Sequence, residues 1–439
     1  MINPINNTLK PTAQPGRQLI AVPGVACILA TMGVLLWPRL LPMVLPAVGL
    51  LALVAVLFGE RAWRAIQPGS IVVCLTMFGA YLLTNASWSA DPGRAFGKAG
   101  LFFLLFVAAY CAISAVRKAD SALVEQLALG FALAAMLVAA IVLGELLTDR
   151  AIMRGIYSYF PAIGPTNPKD ITIVDGEIVR LSPHNLNRNI TVLNMILWPA
   201  LLALTVLPER RLTRATVIAL LTLTALATFA SEHTTSKLAL AFAAIGFVVF
   251  RLWPGGARVA VAAGWVAATM LVVPAAHLAY GKNLHMASWL PVTSRARIIL
   301  WEYTADQVEK APVLGIGLAS TRKLDEQNRR SAQTLPDHVF QMRTGHHAHN
   351  IYLQTWYELG LVGALLLLVA GFAVVFWIIR LPAKTEAFVA SGFISSAVIG
   401  AFGWGMWQSW FMAACFMIPV FAVLAVAHAR ETIRPNHPL

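Results

Sequence analysis

The chain has 439 residues, 58% of them hydrophobic and 12% charged, with a mean hydropathy of +0.70 and a formal net charge of +13. That composition excludes a soluble globular domain and describes a polytopic membrane protein whose charges must collect in loops. Cys27, Cys74, Cys111 and Cys415 all lie in apolar runs without paired spacing, so neither a disulfide framework nor a zinc site is indicated.

Apolar runs long enough to cross a ~30 Å hydrocarbon core predict an all-α protein of about twelve transmembrane helices. They cover residues 19–37, 40–58, 70–86, 98–116, 123–147, 190–207, 213–230, 236–250, 259–280, 351–379, 387–402 and 406–427. The first run follows a polar tail and has no cleavage site of small residues, so it reads as a retained span. Only a thin interval, Ala401 to Gly405, separates the last two. The organisation expected is a tail at 1–18, nine helices within 19–280 interrupted by a hairpin at 148–189, a large polar loop at 281–349, three helices within 350–428, and a tail at 429–439. An even count puts both termini on one face. The loops there are short and basic (Arg117, Lys118, Arg210, Arg211, Arg214, Arg251, Arg258, Arg380 and Lys384 among them), so that face reads as cytoplasmic and both long loops as external.

Within 148–189, the run Ile171 to Val174 followed by Asp175-Gly176 predicts a short external hairpin. It closes on His184 and Arg188 at the outer end of the sixth span; Arg188 either snorkels to headgroups or faces a site. Lys237 begins the eighth span, where its charge opposes the helix dipole, and it either pairs with Glu232 in solvent or answers an anion nearby. In the large loop, Thr293 or Ser294 is expected to cap a helix that runs through Glu309. Arg295 and Arg297 on its first turn join free backbone N–H groups in a ready anion site, and Arg297 shares a face with Trp301. An amphipathic helix on acidic headgroups is the alternative. Gly315-Ile316-Gly317 lacks the Gly-Lys-Ser/Thr of a phosphate-binding loop and reads as a plain loop, and Lys323 to Arg330 reads as a solvated helix face.

The most informative stretch is Gly345 to Gly363, where His346, His347 and His349 precede a long apolar helix. Asn350 is placed to cap that helix, Tyr352 and Trp356 suit the headgroup level, and Gly360 with Gly363 offers a small-residue face for a second helix. Three histidines could make a partial metal site, but there is no Asp-x-Asp pair and the nearest loop carboxylate is Asp337, so no metal or other cofactor is expected. A neutral imidazole held below its free pKa by nearby cations is a proton acceptor, and cations need a counter-charge such as a lipid-linked diphosphate. Base plus diphosphate clamp outlines glycosyl transfer from a lipid-diphosphate sugar donor, with membrane lipids and no nucleic acid as partners. A transporter would instead carry charges inside its spans; here Glu125 and Glu145 lie near the ends of the fifth, and Glu358 lies one to two turns into a helix long enough to protrude.

His349-Asn350, nine residues, then Gly360-Leu361-Val362-Gly363 resembles the His-Asn-x9-Gly motif of the O-antigen ligases of Gram-negative bacteria, within a wider group that includes O-antigen polymerases and bacterial protein O-oligosaccharyltransferases. Arg295, Arg297 and Trp301, leading to Pro312 through Gly317, are similar to that group's Arg and Trp stretch. The resemblance implies the general plan of the lipid-dependent (C-type) glycosyltransferases, a periplasmic active site in the bacterial inner membrane, and metal-independent inverting transfer of an O-antigen from undecaprenyl diphosphate to lipid A-core. It makes His349 the general base, with Arg297 and a cation from the earlier loops on the diphosphate; Arg295 is a further candidate there, and Asn350, His347, Trp301, Gly360 and Gly363 are the candidate supporting residues. Where relatives often have Ser-Arg, this chain has Ser236-Lys237, which leaves the second cation open between Lys237 and Arg188. A short C-terminal tail separates it from the oligosaccharyltransferases, and a polymerase would differ only in taking a second lipid-linked repeat as acceptor.

Overall fold

The computed structural model describes residues 22–57, 69–161, 164, 170–175, 177–207, 209–331 and 345–433. The expected N-terminal tail, Gly176, Asp337 and the end of the C-terminal tail lie outside them. The helices are α1 (Val22–Leu36), α2 (Leu41–Leu57), α3 (Ser70–Asn85), α4 (Pro92–Lys118), α5 (Ser121–Leu147), α6 (Ala151–Tyr159), α7 (Asn187–Leu204) and α8 (Arg210–Ala230). They continue with α9 (Thr234–Leu252), α10 (Pro254–Met270), α11 (Val272–Gly281), α12 (Val292–Val308), α13 (Thr321–Ser331), α14 (Ile351–Ile378), α15 (Ala383–Phe402) and α16 (Ser409–Ile433). Nine of the described helices are long and apolar enough to cross a membrane, and α10 with α11, bent by 74°, makes a tenth. The remaining two expected spans fall on α1, described for 15 residues, and on α7. The protein is an all-α polytopic membrane protein.

Local sequence accounts for several boundaries. Asp91 and Asp120 accept the backbone N–H groups of Arg94 and Leu123 at 3.2 and 2.8 Å and so cap α4 and α5. Glu145 is a buried cap for its neighbour: it accepts from Ile152 N and Met153 N at 2.8 and 2.9 Å, starting α6, a helix the sequence reading lacks. The expected hairpin follows as β1 (Ile171–Val174) and β2 (Glu177–Leu181), antiparallel. α16 extends to Ile433, so the expected tail from 429 begins as helix.

The helices pack through small residues, since lipid offers no hydrophobic drive between spans and close van der Waals approach must supply the contact. A Cβ on Gly49 would lie 2.5 Å from Ala108 at the α2–α4 crossing, and one on Gly130 would lie 2.7 Å from the Gly24 carbonyl at the α1–α5 crossing. α7 stands at the centre, buried at every position from Asn189 to Leu204, against α5, α8, α15 and α16.

Three expectations are corrected here. First, α14 is not continuous: Gly360 has φ +64° and ψ −165°, and the chain at 312–317 runs into the break. Ile316 N donates to Tyr357 O (3.1 Å), Gly317 N to Glu358 O (3.0 Å) and Leu361 N to Pro312 O (2.8 Å). Gly360 and Gly315 therefore serve a backbone-on-backbone crossing instead of a helix-packing face, and Gly363 meets Leu359 of its own helix. Second, Tyr352 is buried inside the protein, its hydroxyl donating to Ala397 O at 3.1 Å, and does not face outward as expected. Third, α12 has Pro291 as its N-cap without side-chain capping, which puts Arg297 beyond the first turn, and α13 turns Asp325 inward toward His346 at 3.8 Å.

A left-handed non-glycine residue costs about 1–3 kcal/mol, and a Cβ at Gly360 would also stand 2.3 Å from Val313 O. Gly360→Ala is expected to lower the apparent unfolding midpoint in detergent by several degrees. Gly97→Ala, with nothing within 4 Å of its new Cβ on α4, should leave the midpoint unchanged or slightly raised.

Candidate active site

The site is built on the helix end at Phe402. A helix C-terminus leaves its last carbonyls without intrahelical partners, and other parts of the chain can supply them. Between α15 and α16 the chain is non-helical, with Gly403 at φ −111° and ψ −96°. Phe402 O accepts from Arg297 Nη1 at 2.7 Å and from Thr235 Oγ1 at 2.8 Å, and Gly403 O accepts from His349 Nδ1 at 2.8 Å. The negative end of the α15 dipole and the Arg297 guanidinium attract each other. Trp301, one turn beyond Arg297, donates from Nε1 to Ala348 O at 2.8 Å and packs its ring 5.9 Å from Phe402.

His349 itself is turned by the backbone. It has φ +52°, and Asn350 Oδ1 takes the N–H groups of Tyr352 and Leu353, both at 3.0 Å, so the predicted cap is present and the ring is thrown off the helix mouth. Since Nδ1–H is given to Gly403, Nε2 keeps a free lone pair. The pKa is lowered to about 4, first by burial and then by Arg297, against the opposing pull of the Gly403 carbonyl. The cause differs from expectation: desolvation, more than the positive field, keeps this imidazole neutral. His347 lies edge-on to it at 4.0 Å between ring centroids, accepts at Nε2 from Gln408 Nε2 (3.2 Å), and is lowered to about 3, again mainly by burial.

Arg188 reaches the same segment from α7. Its guanidinium lies over Trp404 and Trp410, 5.7 and 5.9 Å from the ring centroids. Trp404 is oriented by its Nε1 bond to Thr191 Oγ1 (2.9 Å) and by His233, 5.6 Å away, whose Nδ1 is 2.7 Å from Ser236 Oγ. His233 is lowered to about 4 by burial and then by Arg297. Three consecutive residues, Phe402, Gly403 and Trp404, thus hold Arg297, His349 and Arg188 in turn. Lys237 is on the first turns of α9, near Thr235, with no polar side-chain partner among the described residues. Arg295 has its Nε buried without a partner and is not joined to this segment. Glu232 pairs with His184 at 3.7 Å and not with Lys237.

His346, His347 and His349 point to three different partners, so they do not form a ligand set. Among the described residues, the group within metal-ligand range is His277 with Glu302 and Asp306, whose contacts of 3.0 and 3.9 Å suit an ion pair equally well. Sequence reading missed His233, Thr191, Trp404, Gln408 and Trp410. The one available signal was the cluster of tryptophan and glycine in the thin interval between the last two spans.

In the purified protein, nitrogen-15 NMR of the histidines should find His349 neutral and protonated on Nδ1 down to about pH 4. Because the folded pKa lies below the unfolded value of about 6.5, this group's contribution to stability is full above pH 6.5 and falls as pH drops toward the folded value. Arg297→Ala removes one lowering influence, so the His349 value should rise while burial keeps it below 6.5.

Residues 212–368 match the family model described as O-Antigen ligase. A protein named "Putative polysaccharide ligase" in Rickettsia conorii is 28% identical over 138 residues, covering 30% of this chain and 31% of that relative. Relatives of the same name in Rickettsia felis and Rickettsia prowazekii are each 26% identical over 131 residues, 30% of this chain and 32% of theirs. The alignments therefore span about a third of those relatives' length. Arg297, Trp301, His349 and Gly360 all lie inside the segment, residues 212–368, that is similar to the O-antigen ligase family.

Proposed function

We propose that the protein is an O-antigen ligase: it transfers a polysaccharide from undecaprenyl diphosphate to a sugar hydroxyl of lipid A-core at the periplasmic face of the inner membrane. One observation carries this reading most. His349 has an Nε2 without a hydrogen-bond partner among the described residues, beside Arg297, with Arg188 held on the adjoining tryptophan. The family match and the names of the relatives support the class of reaction.

In this reading the acceptor O–H gives its proton to His349 Nε2 while its oxygen attacks the anomeric carbon from the face opposite the leaving group. The glycosidic C–O bond to the diphosphate breaks, its electron pair stays on the diphosphate oxygen, and configuration inverts. Arg297 and Arg188 meet the developing negative charge, with Lys237 and Arg295 as the outer cations. The bound diphosphate also offsets the field of Arg297, so His349 becomes a stronger base once the donor is in place. The apoprotein's low pKa keeps the imidazole unprotonated until then. No step requires a metal ion.

With purified protein, lipid-linked polysaccharide and lipid A-core, His349→Ala is expected to lower kcat by about 10²–10⁴-fold with donor KM little changed. Arg297→Ala and Arg188→Ala should each raise donor KM and lower kcat, and Lys237→Ala should act more weakly. Chelator should leave the rate unchanged. Normal turnover by His349→Ala would remove the base, and extension of a second lipid-linked repeat in place of lipid A-core would reassign the enzyme as a polymerase. In a deletion strain, lipid-linked polymer should accumulate while lipopolysaccharide loses its long chains.

A further inference from the structure

Glu358 is the most completely enclosed carboxylate near the site, with no solvent exposure. Both its oxygens are occupied. Oε1 accepts from Thr321 N (3.1 Å), Thr321 Oγ1 and Gln354 Nε2 (3.4 Å), and Oε2 accepts from Ala319 N (2.9 Å) and Trp407 Nε1. The backbone N–H groups and the indole N–H can only donate, and Thr321 opens α13, so the acid sits at the positive end of a helix. A buried group with this many donors is strongly held, and removing its acceptors leaves several buried N–H groups unpaired.

What Glu358 grips is the segment on which His349 depends. Trp407 belongs to the 403–408 turn, whose Gly403 carbonyl accepts the hydrogen bond from His349 Nδ1–H. Gln354, held by Glu358, accepts from Met406 N at 3.3 Å, and Gln408 at the end of the turn holds His347. The turn also touches His347 directly, since a Cβ on Gly405 would stand 2.7 Å from that ring. Glu358 therefore reaches the turn through Trp407 and through Gln354, and its own carbonyl closes the Gly317 crossing at the α14 break.

We propose that Glu358 is a positioning residue: it holds the 403–408 turn, and through the Gly403 carbonyl the ring of His349, in the orientation for proton abstraction. The inference rests on the reading of His349 as the base. Glu358 does not touch the reacting atoms. It acts by keeping the turn rigid and the imidazole dehydrated, and Arg297 and His347 are the other titratable groups that face that ring.

The test is Glu358→Gln, which keeps the shape but replaces one acceptor oxygen by a donor, facing either Thr321 N–H or the Ala319 and Trp407 N–H groups. Burial is the largest cause of the low His349 pKa, so loosening the turn should hydrate the ring. In the purified transfer assay, kcat is expected to fall at least tenfold, donor KM to stay within about twofold, and the acid limb of kcat/KM to move up by one pH unit or more, toward the ordinary imidazole value. Trp407→Phe, which keeps an aromatic ring but loses the indole N–H together with the five-membered ring that carries it, should move the limb the same way by less, and it decides the matter if Glu358→Gln does not fold. An acid limb unchanged from wild type in the folded variants, with activity lost only in proportion to folded protein, overturns the inference. Wild type and His349→Ala run alongside: an inactive wild type or a fully active His349→Ala defeats the base reading itself. An active wild type, an inactive His349→Ala and a Glu358→Gln like wild type defeat this inference alone.

Discussion

The end of α15 is the constraint on which the site depends. Two carbonyls released where that helix stops lack intrahelical partners, and the chain satisfies them from three distant segments: Thr235 at the start of α9, Arg297 on α12 and His349 at the mouth of α14. A requirement that is purely structural, the pairing of buried backbone acceptors, thereby gathers a cation and an imidazole within one turn of chain. The same bond that satisfies Gly403 selects the His349 tautomer with its free lone pair on the other nitrogen.

α14 carries a second break, at Gly360. Were α14 continuous through Gly360, no backbone groups would be open to receive residues 312–317, whose continuation brings the amides of Ala319 and Thr321 to Glu358. Tyr81 and Asn85 of α3 secure the crossing, donating to Leu359 O at 2.8 Å and Leu314 O at 2.9 Å. The described part of the loop before α14 is thus fastened to the membrane helices by backbone pairing and not by side-chain packing alone. Such fastening suits an arrangement in which α12, carrying Arg297 and Trp301, must keep its distance from His349.

Burial dominates the electrostatics of the site. His233, His347 and His349 are all lowered mainly by desolvation, with Arg297 a lesser influence on each. A set of neutral rings around two guanidiniums leaves net positive charge for an anion to meet. Arg188 lies over two aromatic faces and has no carboxylate at ion-pair distance among the described residues, so its charge stays available.

Much of the fold was legible from residues alone because it follows local rules. Apolar length predicts spans, Asn350 beside a helix start predicts a cap, and β-branched residues before Asp-Gly predict the hairpin. His349, Arg297 and Arg188 were also recognisable as candidates, from the histidine cluster at a helix mouth, the paired arginines of the large loop and the polar cluster that closes the hairpin. What stayed hidden depends on contacts between parts of the chain far apart in sequence. Nothing local marks Phe402 and Gly403 as acceptors for residues 297 and 349, turns Tyr352 into the core, or converts Gly360 from a packing face into a crossing point. Composition and periodicity determined that the chain spans a membrane and where its chemistry-bearing residues lie along it. Only the tertiary structure decided which of them meet, because that is set by where helices break and which distant donors answer the carbonyls so exposed.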